Sequence, residues 1–374
     1  MTKLHITSAF DSGNIQLLSA DDPSNIRLAI RPDNASDFFQ WFYFRVSGAR
    51  DTQCQFQIEN AGKAAFTGGW KDYSVCASYD RETWFRIPTT YYDGVLSWEH
   101  APELDSLYYA YFAPYSMERH ADMIAEIAQH PDVNLNVLGQ SVEGQDLDCV
   151  TIGEGNRIVW VIGRQHPGET QASWWMEGFL ARLLDDDDPI ARVLRAEATF
   201  HIVPNMNPDG SCRGNLRTNY AGANLNREWD KATLQSSPEV YHTIEAMNAA
   251  RPHMVLDVHG DESLPYNFIA GAEGIVGYTD KQAKNLEDFL NAYCTASPDF
   301  QTKVGYPKTS AGKANLAMCT NFCAHEYDCL AMTLEMPFKD NADLPDDVFG
   351  WSPERSARLG GAALDAMLAV MDQL

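Results

Sequence analysis

The sequence predicts an α/β protein: a mixed open sheet flanked by helices, preceded by a smaller antiparallel β-sandwich. Short segments rich in aromatic and β-branched residues, separated by turn residues, occupy the chain up to about residue 115. Beyond that point apolar runs alternate with amphipathic stretches, which is typical of layered α/β folds. The length of 374 residues exceeds that of a typical single domain. We therefore predict a sandwich domain over residues 1–115 and a larger α/β domain over residues 116–374.

The sandwich is predicted from three strand-rich segments with Gly, Asp and Asn between them. They are FFQWFYFRVSG (38–48), CQFQIEN (54–60) and ETWFRIPTTYYDGVLSWEH (82–100).

The larger domain contains four nearly continuous apolar runs, as expected for central strands that are covered on both faces. These are RIVWVIG (157–163), ATFHIVP (198–204), HMVLDVH (253–259) and CLAMTLEM (329–336), with helices predicted at 170–184, 238–250 and 281–294. The acidic run Asp185–Asp188, followed by Pro189, is interpreted as a solvated helix end. Open α/β sheets bind ligands at the carboxyl ends of their strands. The polar residues that directly follow these runs are therefore the candidates for function.

Composition narrows the choice of partners and compartment. The formal net charge is −24, from 28 Lys+Arg against 52 Asp+Glu, so we expect neither nucleic acid nor an anionic membrane surface as a partner. No run approaches the roughly 18 apolar residues of a membrane span, and the first residues lack the pattern of a signal peptide. The eight cysteines are mostly scattered, and the clustered Cys319, Cys323 and Cys329 fit neither a CxxC knuckle nor a redox motif, so they are interpreted as small packing residues. A cytoplasmic location is the expectation.

A histidine and a glutamate at HxxE spacing follow the first of the four runs. His166 and Glu169 lie on a turn shaped by Pro167 and Gly168, and His259 ends a second run. A histidine and a glutamate at this spacing are more often a hydrogen-bonded pair on the surface. The placement of His166 and His259 at the ends of two separate strands favours a role as metal ligands instead. Imidazole and carboxylate are ligands that Zn²⁺ accepts, and three of them leave one position open.

Other polar residues near the strand ends have two interpretations each. Asp257 either orients His259 or is a structural carboxylate. Glu335 lies in an apolar strand, where a carboxylate is costly unless it is ionised against a cation or used in catalysis; it either takes a proton from a zinc-bound water or caps a neighbouring helix. Arg217 and Arg227, in the long loop after the second run, either grip a carboxylate or oxyanion or form surface ion pairs.

Together these motifs resemble a known family. They are FAPYS (112–116), HPGET (166–170), NPDG (207–210), GNLR (214–217), LNREW (225–229), TLEMPF (333–338) and the aromatic QWFYFRVSG (40–48). In this order they resemble the metallocarboxypeptidases of the carboxypeptidase A type, and more specifically the cytosolic, tubulin deglutamylase-like carboxypeptidases. That subfamily carries a β-sandwich before its catalytic domain, and the likeness covers most of the chain.

The resemblance implies a zinc hydrolase. One Zn²⁺ per chain would be bound by His166, Glu169 and His259. Glu335 would act as the general base on the attacking water, and Arg217 would polarise the scissile carbonyl and stabilise its oxyanion.

The resemblance also implies how a peptide C-terminus is held. Asn226 and Arg227 would anchor the terminal carboxylate, which makes the enzyme an exopeptidase. The family's substrate-capping tyrosine normally precedes the catalytic glutamate by a little over twenty residues, but 309–313 here contains none; Tyr306 is the nearest candidate. The subfamily is associated with removal of acidic residues, so a preference for C-terminal glutamate is a hypothesis. Lys313 is the candidate cation for a pocket that binds an acidic side chain, whereas the net charge of −24 opposes this preference.

Two alternative functions are compatible with the same residues. One is a zinc acylase or amidase of the aspartoacylase type, which shares the HxxE and histidine site. The other is a catalytically silent protein that binds acidic tails. The expected partner is a peptide or protein C-terminus, and a homo-oligomer is compatible with the sequence.

Overall fold

A computed structural model describes residues 4–374. Its strands are β1 (His5–Thr7), β2 (Gln16–Ser19), β3 (Ile26–Ala29), β4 (Tyr43–Ser47), β5 (Cys54–Ile58), β6 (Val75–Ser78), β7 (Phe85–Ile87), β8 (Thr89–Tyr92), β9 (Val95–His100), β10 (Ser106–Ala110), β11 (Asn134–Gln140), β12 (Asp146–Ile152), β13 (Arg157–Gly163), β14 (Ala198–Val203), β15 (Met254–Asp261), β16 (Phe268–Ala270) and β17 (Leu330–Pro337). Its α-helices are α1 (Met117–Ile127), α2 (Gln171–Leu183), α3 (Pro189–Glu197), α4 (Pro208–Arg213), α5 (Pro238–Ala249), α6 (Asp280–Ala296), α7 (Cys319–Tyr327) and α8 (Pro353–Met371). Single 3-10 turns occur at Pro23–Asn25, Ala61–Lys63, Thr67–Trp70 and Leu225–Arg227.

The leading part of the chain forms two five-stranded sheets, in the orders β1-β4-β10-β6-β7 and β2-β3-β5-β9-β8. All pairs are antiparallel except β3 and β5, which run parallel. Aromatic rings fill the space between the sheets: Phe56 of one sheet lies 4.9 Å from Tyr109 and 6.4 Å from Phe44 of the other, measured between ring centroids. The β-sandwich architecture predicted from the sequence is confirmed.

Segment 38–48 is a strand only from Tyr43 onwards. The carbonyls of Phe38 and Phe39 accept hydrogen bonds from the backbone N–H groups of Asp33 and Ala65, which lie in loops. The aromatic residues before β4 therefore line loops rather than extend the sheet.

The second part of the chain is built on a seven-stranded sheet of order β11-β12-β14-β13-β15-β17-β16. The four central strands, β14, β13, β15 and β17, are parallel, whereas β11, β12 and β16 pair antiparallel at the edges. These central strands coincide with the four apolar runs, so the predicted mixed α/β sheet is confirmed.

Helices cover both faces of this sheet. Val159 and Val161 of β13 belong to the apolar core shared with α2 and α8, whereas Trp160 and Ile162 belong to the core shared with α5 and α7. Both sets are buried because successive side chains of a strand point to opposite faces. In such covered α/β sheets, ligands bind at the carboxyl ends of the strands.

Helices α2 and α8 approach each other through glycines. A Cβ built at Gly178 would lie 2.0 Å from the carbonyl oxygen of Ala357, and one at Gly360 would lie 2.0 Å from that of Trp175. Because only glycine lacks this atom, the two backbones can pack directly against each other.

The acidic run before Pro189 begins a helix as well as following one. Asp185, Asp186 and Asp187 are exposed, but Asp188 accepts the N–H groups of Ile190 and Ala191 at 2.8 and 3.0 Å and so caps α3. The predicted solvated end of α2 is therefore accompanied by an N-cap that the sequence interpretation did not include.

Two further observations concern the whole described chain. Across residues 4–374 no helix combines the length and the apolar character needed to cross a bilayer. All eight cysteines are free thiols, six of them buried.

Candidate active site

The turn after β13 is held by a buried arginine. Arg164 adopts a left-handed backbone conformation, with φ of 60°, directly after the last residue of β13. Its guanidinium donates hydrogen bonds to the carbonyl of Pro167 at 2.7 Å and to the hydroxyl of Ser173 at 2.9 Å. The turn is thereby tied to the first residues of α2, so that residues 166 and 169 point back towards the sheet.

Three buried side chains converge at this edge of the sheet. Nδ1 of His166 lies 2.7 Å from Oε1 of Glu169, and Nδ1 of His259 lies 2.8 Å from Oε2 of the same carboxylate. The two Nδ1 atoms are 3.2 Å apart, and one ligand atom from each residue can be chosen so that all lie within 4.8 Å of one another. The structure thus brings together the three residues that the sequence suggested as metal ligands.

The outer nitrogens of both histidines face hydrogen-bond acceptors. Nε2 of His259 lies 2.8 Å from Oδ2 of Asp257, and Nε2 of His166 lies 3.0 Å from Oδ1 of Asn224. An acceptor at Nε2 favours the tautomer that carries its proton there, which leaves the lone pair of Nδ1 free. Asp257 is fixed in turn by Gln165, whose amide donates to Oδ2 at 2.7 Å.

The charges around the cluster favour the ionised form of Glu169. Burial, assisted by the positive charge of Arg217, lowers the pKa of His166 to about 4. Burial opposes ionisation of Glu169, but the two neighbouring imidazoles outweigh it and hold the pKa of Glu169 below its ordinary value. Burial likewise opposes protonation of His259, but the carboxylates of Asp257 and Glu169 prevail and raise its pKa.

Glu335 lies on the strand next to His259. The two residues are paired in the parallel register of β15 and β17, and Glu335 is buried. Burial raises the pKa of Glu335 well above its ordinary value. The Tyr306 hydroxyl lies 3.1 Å from Oε1 of Glu335 and 2.6 Å from Oδ2 of Asp261, while Oε2 of Glu335 has no hydrogen-bond partner among the described residues.

Two arginines from the long loop reach the same region. A guanidinium nitrogen of Arg217 lies 3.9 Å from Oε1 of Glu169. Arg227 donates to the backbone carbonyl of Asn226 at 2.6 Å, and burial together with the charge of Arg217 lowers its pKa. The Asn226 side chain accepts the N–H of Cys319 at 2.9 Å, which anchors it to the start of α7. The loop therefore supplies positive charge beside the cluster.

Lys313 is separate from this arrangement. Its side chain is exposed and forms no ion pair with any residue that the structure describes. Its backbone N–H donates to the carbonyl of Ser310 in a turn. The structure does not bring Lys313 into contact with the other candidate residues.

Several residues around the cluster were not singled out from the sequence. Gln165 and Asn224 flank recognised motifs, and both positions are adjacent to predicted ligands or loop residues. Asp261 follows His259 by two positions and so shares its side of the strand. Adjacency to a motif was the available signal for these three. Asp33, in the loop after β3, offered none.

Comparison with known proteins identifies this arrangement. Residues 6–112 match the family model of the cytosolic carboxypeptidase N-terminal domain, and residues 120–353 match that of zinc carboxypeptidase. Human cytosolic carboxypeptidase 1 is 30% identical over 322 residues, which cover 72% of this chain and 26% of that protein. The chain therefore spans about a quarter of the length of this relative.

Solved structures agree over the full chain. A metallo-carboxypeptidase from Burkholderia cenocepacia is 49% identical with a TM-score of 0.95, covering 99% of both chains. A metallo-carboxypeptidase from Pseudomonas aeruginosa, solved in complex with (2-guanidinoethylmercapto)succinic acid, is 44% identical with a TM-score of 0.97, again covering 99% of both chains. This chain belongs to the zinc carboxypeptidase family and is a metallocarboxypeptidase with a leading domain of the cytosolic carboxypeptidase type.

Proposed function

We propose that this metallocarboxypeptidase binds one Zn²⁺ per chain through His166, Glu169 and His259 and hydrolyses the C-terminal bond of peptides or proteins. The observation that carries the proposal is the convergence of two Nδ1 atoms on one carboxylate, with both outer nitrogens engaged by acceptors. Two nitrogens and one carboxylate, all buried, fit a catalytic zinc site, which keeps one position open. When bound, zinc would act as a Lewis acid and lower the pKa of a water molecule in that position.

Glu335 is the proposed general base. Its position beside His259 puts a carboxylate next to the ligand cluster, and the buried Oε2, which has no hydrogen-bond partner among the described residues, is the oxygen that we propose accepts a hydrogen bond from the water. Glu335 would take a proton from the attacking water and return it to the leaving amine. The Tyr306 hydroxyl beside Oε1 would orient this carboxylate and cover the substrate terminus.

The arginines and Asn226 define where the substrate ends. Arg217 would donate hydrogen bonds to the scissile carbonyl oxygen as negative charge develops on it. Arg227, with Asn226, would hold the free terminal carboxylate by charge-assisted hydrogen bonds. An internal peptide bond presents no such carboxylate, so this pair would restrict the enzyme to chain ends.

A preference for acidic C-terminal residues is the finer part of the proposal. Arg217 and Arg227 would supply the positive charge that recognises an acidic side chain, in a chain of net charge −24 and beside the carboxylates of Glu169 and Glu335. Lys313 is exposed, so it could contribute only if its loop closed over the substrate. The compound in the Pseudomonas aeruginosa relative is a dicarboxylic acid, which is compatible with arginine recognition, but its guanidinium makes basic residues the matched alternative to test.

The decisive experiment digests peptides that differ only in a terminal Glu, Lys or Phe and detects the products by mass spectrometry. A C-terminally amidated peptide is the matched control, because amidation removes the carboxylate that Arg227 would hold. We expect release of single residues, loss of activity with a chelator, and no cleavage of the amidated peptide. Equal rates on Glu, Lys and Phe would refute the acidic preference.

The same preparation tests the alternatives. The Glu335→Gln enzyme is expected to retain zinc and to lose roughly 10²–10⁴-fold in kcat. Hydrolysis of N-acyl amino acids but of no peptide would support an aspartoacylase-type activity, against which the family matches stand. A zinc-loaded wild-type protein that hydrolyses no peptide would support a silent binder of acidic tails.

We also propose a cytoplasmic location, which the eight free thiols support, since disulfides are rare there. Oligomeric state belongs to the same set of measurements: light scattering of the purified chain distinguishes a monomer from a homo-oligomer.

A further inference from the structure

The backbone around Arg217 is held by a carboxylate from the leading β-sandwich part. Asp33 accepts hydrogen bonds from the N–H groups of Leu216 at 2.6 Å, Arg217 at 2.8 Å and Thr218 at 2.9 Å. The hydroxyl of Thr218 donates a fourth hydrogen bond at 3.1 Å. One side chain thus fixes three consecutive peptide groups that lie more than 180 positions further along the chain.

Among the described residues, the Asp33 carboxylate accepts hydrogen bonds only from these four donors. It is 4% exposed, and within residues 4–374 no cationic side chain lies at ion-pair distance from it. Burial raises the pKa of Asp33, whereas the N–H groups of residues 216–218 act in the opposite direction by stabilising the carboxylate. A buried carboxylate is tolerated only when such donors compensate for lost water. An asparagine whose oxygen keeps the donors of residues 217 and 218 would turn its amide N–H₂ towards the N–H of Leu216, so at least one backbone donor loses its acceptor.

The guanidinium of Arg217 is also contacted from the leading part. It lies 5.1 Å from the ring centroid of Phe66 and 5.9 Å from that of Phe38. Cations over aromatic faces at such distances are attracted by the ring quadrupole. The side chain of Arg217 is only 13% exposed and points towards Glu169. Its backbone and its charged end are thus both positioned by the sandwich part.

The beginning of this loop is fastened in the same way. The Asn14 amide donates to the carbonyl of Gly214 at 2.9 Å, and the Asn215 amide donates to Oδ1 of Asn34 at 2.6 Å. A Cβ on Gly214 would lie 2.6 Å from the carbonyl oxygen of Ser12, so the two parts are in close contact.

We infer that Asp33 is a positioning residue of the active site, which fixes the loop of residues 216–218 so that Arg217 faces the ligand cluster. The inference rests on the proposed role of Arg217. It gives the leading part of the chain a function in substrate hydrolysis, because that part supplies the support of a residue acting on the substrate carbonyl. Asp33 itself does not touch the substrate.

The test is a double-mutant cycle between Asp33→Asn and Arg217→Ala, with kcat, KM, zinc content and melting temperature measured for each enzyme. Asp80→Asn is the matched control. This aspartate of the same sandwich accepts the N–H groups of Glu82 and Thr83, both at 2.8 Å, but contacts no residue of the Arg217 loop.

We expect Arg217→Ala to lose on the order of 10²–10³-fold in kcat, as for other removed oxyanion donors. Asp33→Asn should lose roughly tenfold in kcat with little change in KM, because a displaced donor costs rate without removing the terminal carboxylate contacts. In the Arg217→Ala background the Asp33→Asn change should have almost no further effect. The control, Asp80→Asn, should have the kcat and KM of the wild type.

The outcomes separate the two claims. An unchanged kcat in Arg217→Ala would overturn the proposed role of Arg217. A large loss in Arg217→Ala combined with no loss in Asp33→Asn, or with the same loss in both backgrounds, would overturn the inference alone. If Asp33→Asn does not fold, Thr218→Val replaces it, since it removes one of the four donors. It should lower kcat only when Arg217 is present, and an equal effect in both backgrounds would refute the inference.

Discussion

Replacing Asp257 tests how the carboxylate behind His259 contributes to metal binding. In Asp257→Ala the Nε2–H of His259 loses its acceptor, now 2.8 Å away, and the Gln165 amide loses its partner at 2.7 Å. Asp257→Asn is a subtler change. Both hydrogen bonds use Oδ2, whereas Oδ1 has no partner among the described residues. The amide oxygen can therefore keep both contacts while the negative charge is lost.

The expected loss of zinc affinity can be estimated from these hydrogen bonds. A hydrogen bond to a charged group contributes about 1.5–3 kcal/mol. Loss of an orienting partner of a metal-bound histidine typically lowers metal affinity by roughly 10–100-fold, or about 1.4–2.7 kcal/mol. The two ranges agree. We therefore expect the zinc dissociation constant to rise roughly 100-fold in Asp257→Ala and roughly tenfold in Asp257→Asn.

The assay is competition for zinc against a chelator of known affinity. Asp148→Asn is the matched control, because Asp148 pairs with a histidine, His120, at 3.2 Å outside the ligand cluster. The zinc affinity of the Asp148→Asn enzyme should equal that of the wild type. Wild-type zinc affinity in Asp257→Ala would refute the reasoning, and a larger loss in Asp257→Asn than in Asp257→Ala would contradict the retained contacts.

Three further predictions concern stability and metal dependence. Burial raises the pKa of Glu239 from 4.5 to about 7, and the Asn219 amide donates a hydrogen bond to only one of its two oxygens. The folded protein therefore binds this proton more tightly than the unfolded chain does, so the free energy of unfolding falls as the pH rises from 4.5 to about 7. Glu239→Gln should therefore be more stable than the wild type at pH 8 by up to about 3 kcal/mol, with the gap closing below pH 4.5 in denaturant titrations; a gap independent of pH would contradict this. Gly178→Ala should lose about 1–3 kcal/mol of unfolding free energy, because the added Cβ would clash with the backbone of Ala357 in α8. Gly361→Ala is the control: its Cβ would have no neighbouring atom closer than 3.5 Å, so its unfolding free energy should be unchanged or higher. Equal effects of the two changes would refute the close contact between α2 and α8. Chelation should abolish hydrolysis and lower the melting temperature, and added zinc should restore both; a chelated protein of unchanged melting temperature would argue against a metal that stabilises the fold.

The parallel core could be predicted from the sequence because its signal is local. Each of the four apolar runs is a strand buried on both faces, and β13 coincides with its predicted range of 157–163. Helix α8 was not predicted. Gly360 and Gly361 weaken its helical pattern, and the structure shows that Gly360 is needed for contact with α2. A residue that is unfavourable for local helix formation is here favoured by tertiary packing.

Some residues of the candidate site likewise have a local signal in the sequence, and others do not. His166, His259 and Glu335 could be suggested because each lies in or directly after an apolar run. Asp33 could not, because it lies in an irregular loop and its partners are more than 180 positions away. Asn224 was signalled only by its place beside the LNREW motif, and its contact with His166 spans 58 positions. Contacts at such separations leave no period in the sequence. The domain limits at residue 115 and the roles of the individual site residues stay predictions.

The clamp of Asp33 on residues 216–218 also has a consequence for the order of events on the ribosome. At roughly 5–20 residues per second, the stretch that separates Asp33 from the loop takes on the order of 10–40 s to synthesise. The sandwich strands, all before residue 111, are therefore made well before the loop emerges. The loop is thus synthesised after every strand of the surface onto which it docks.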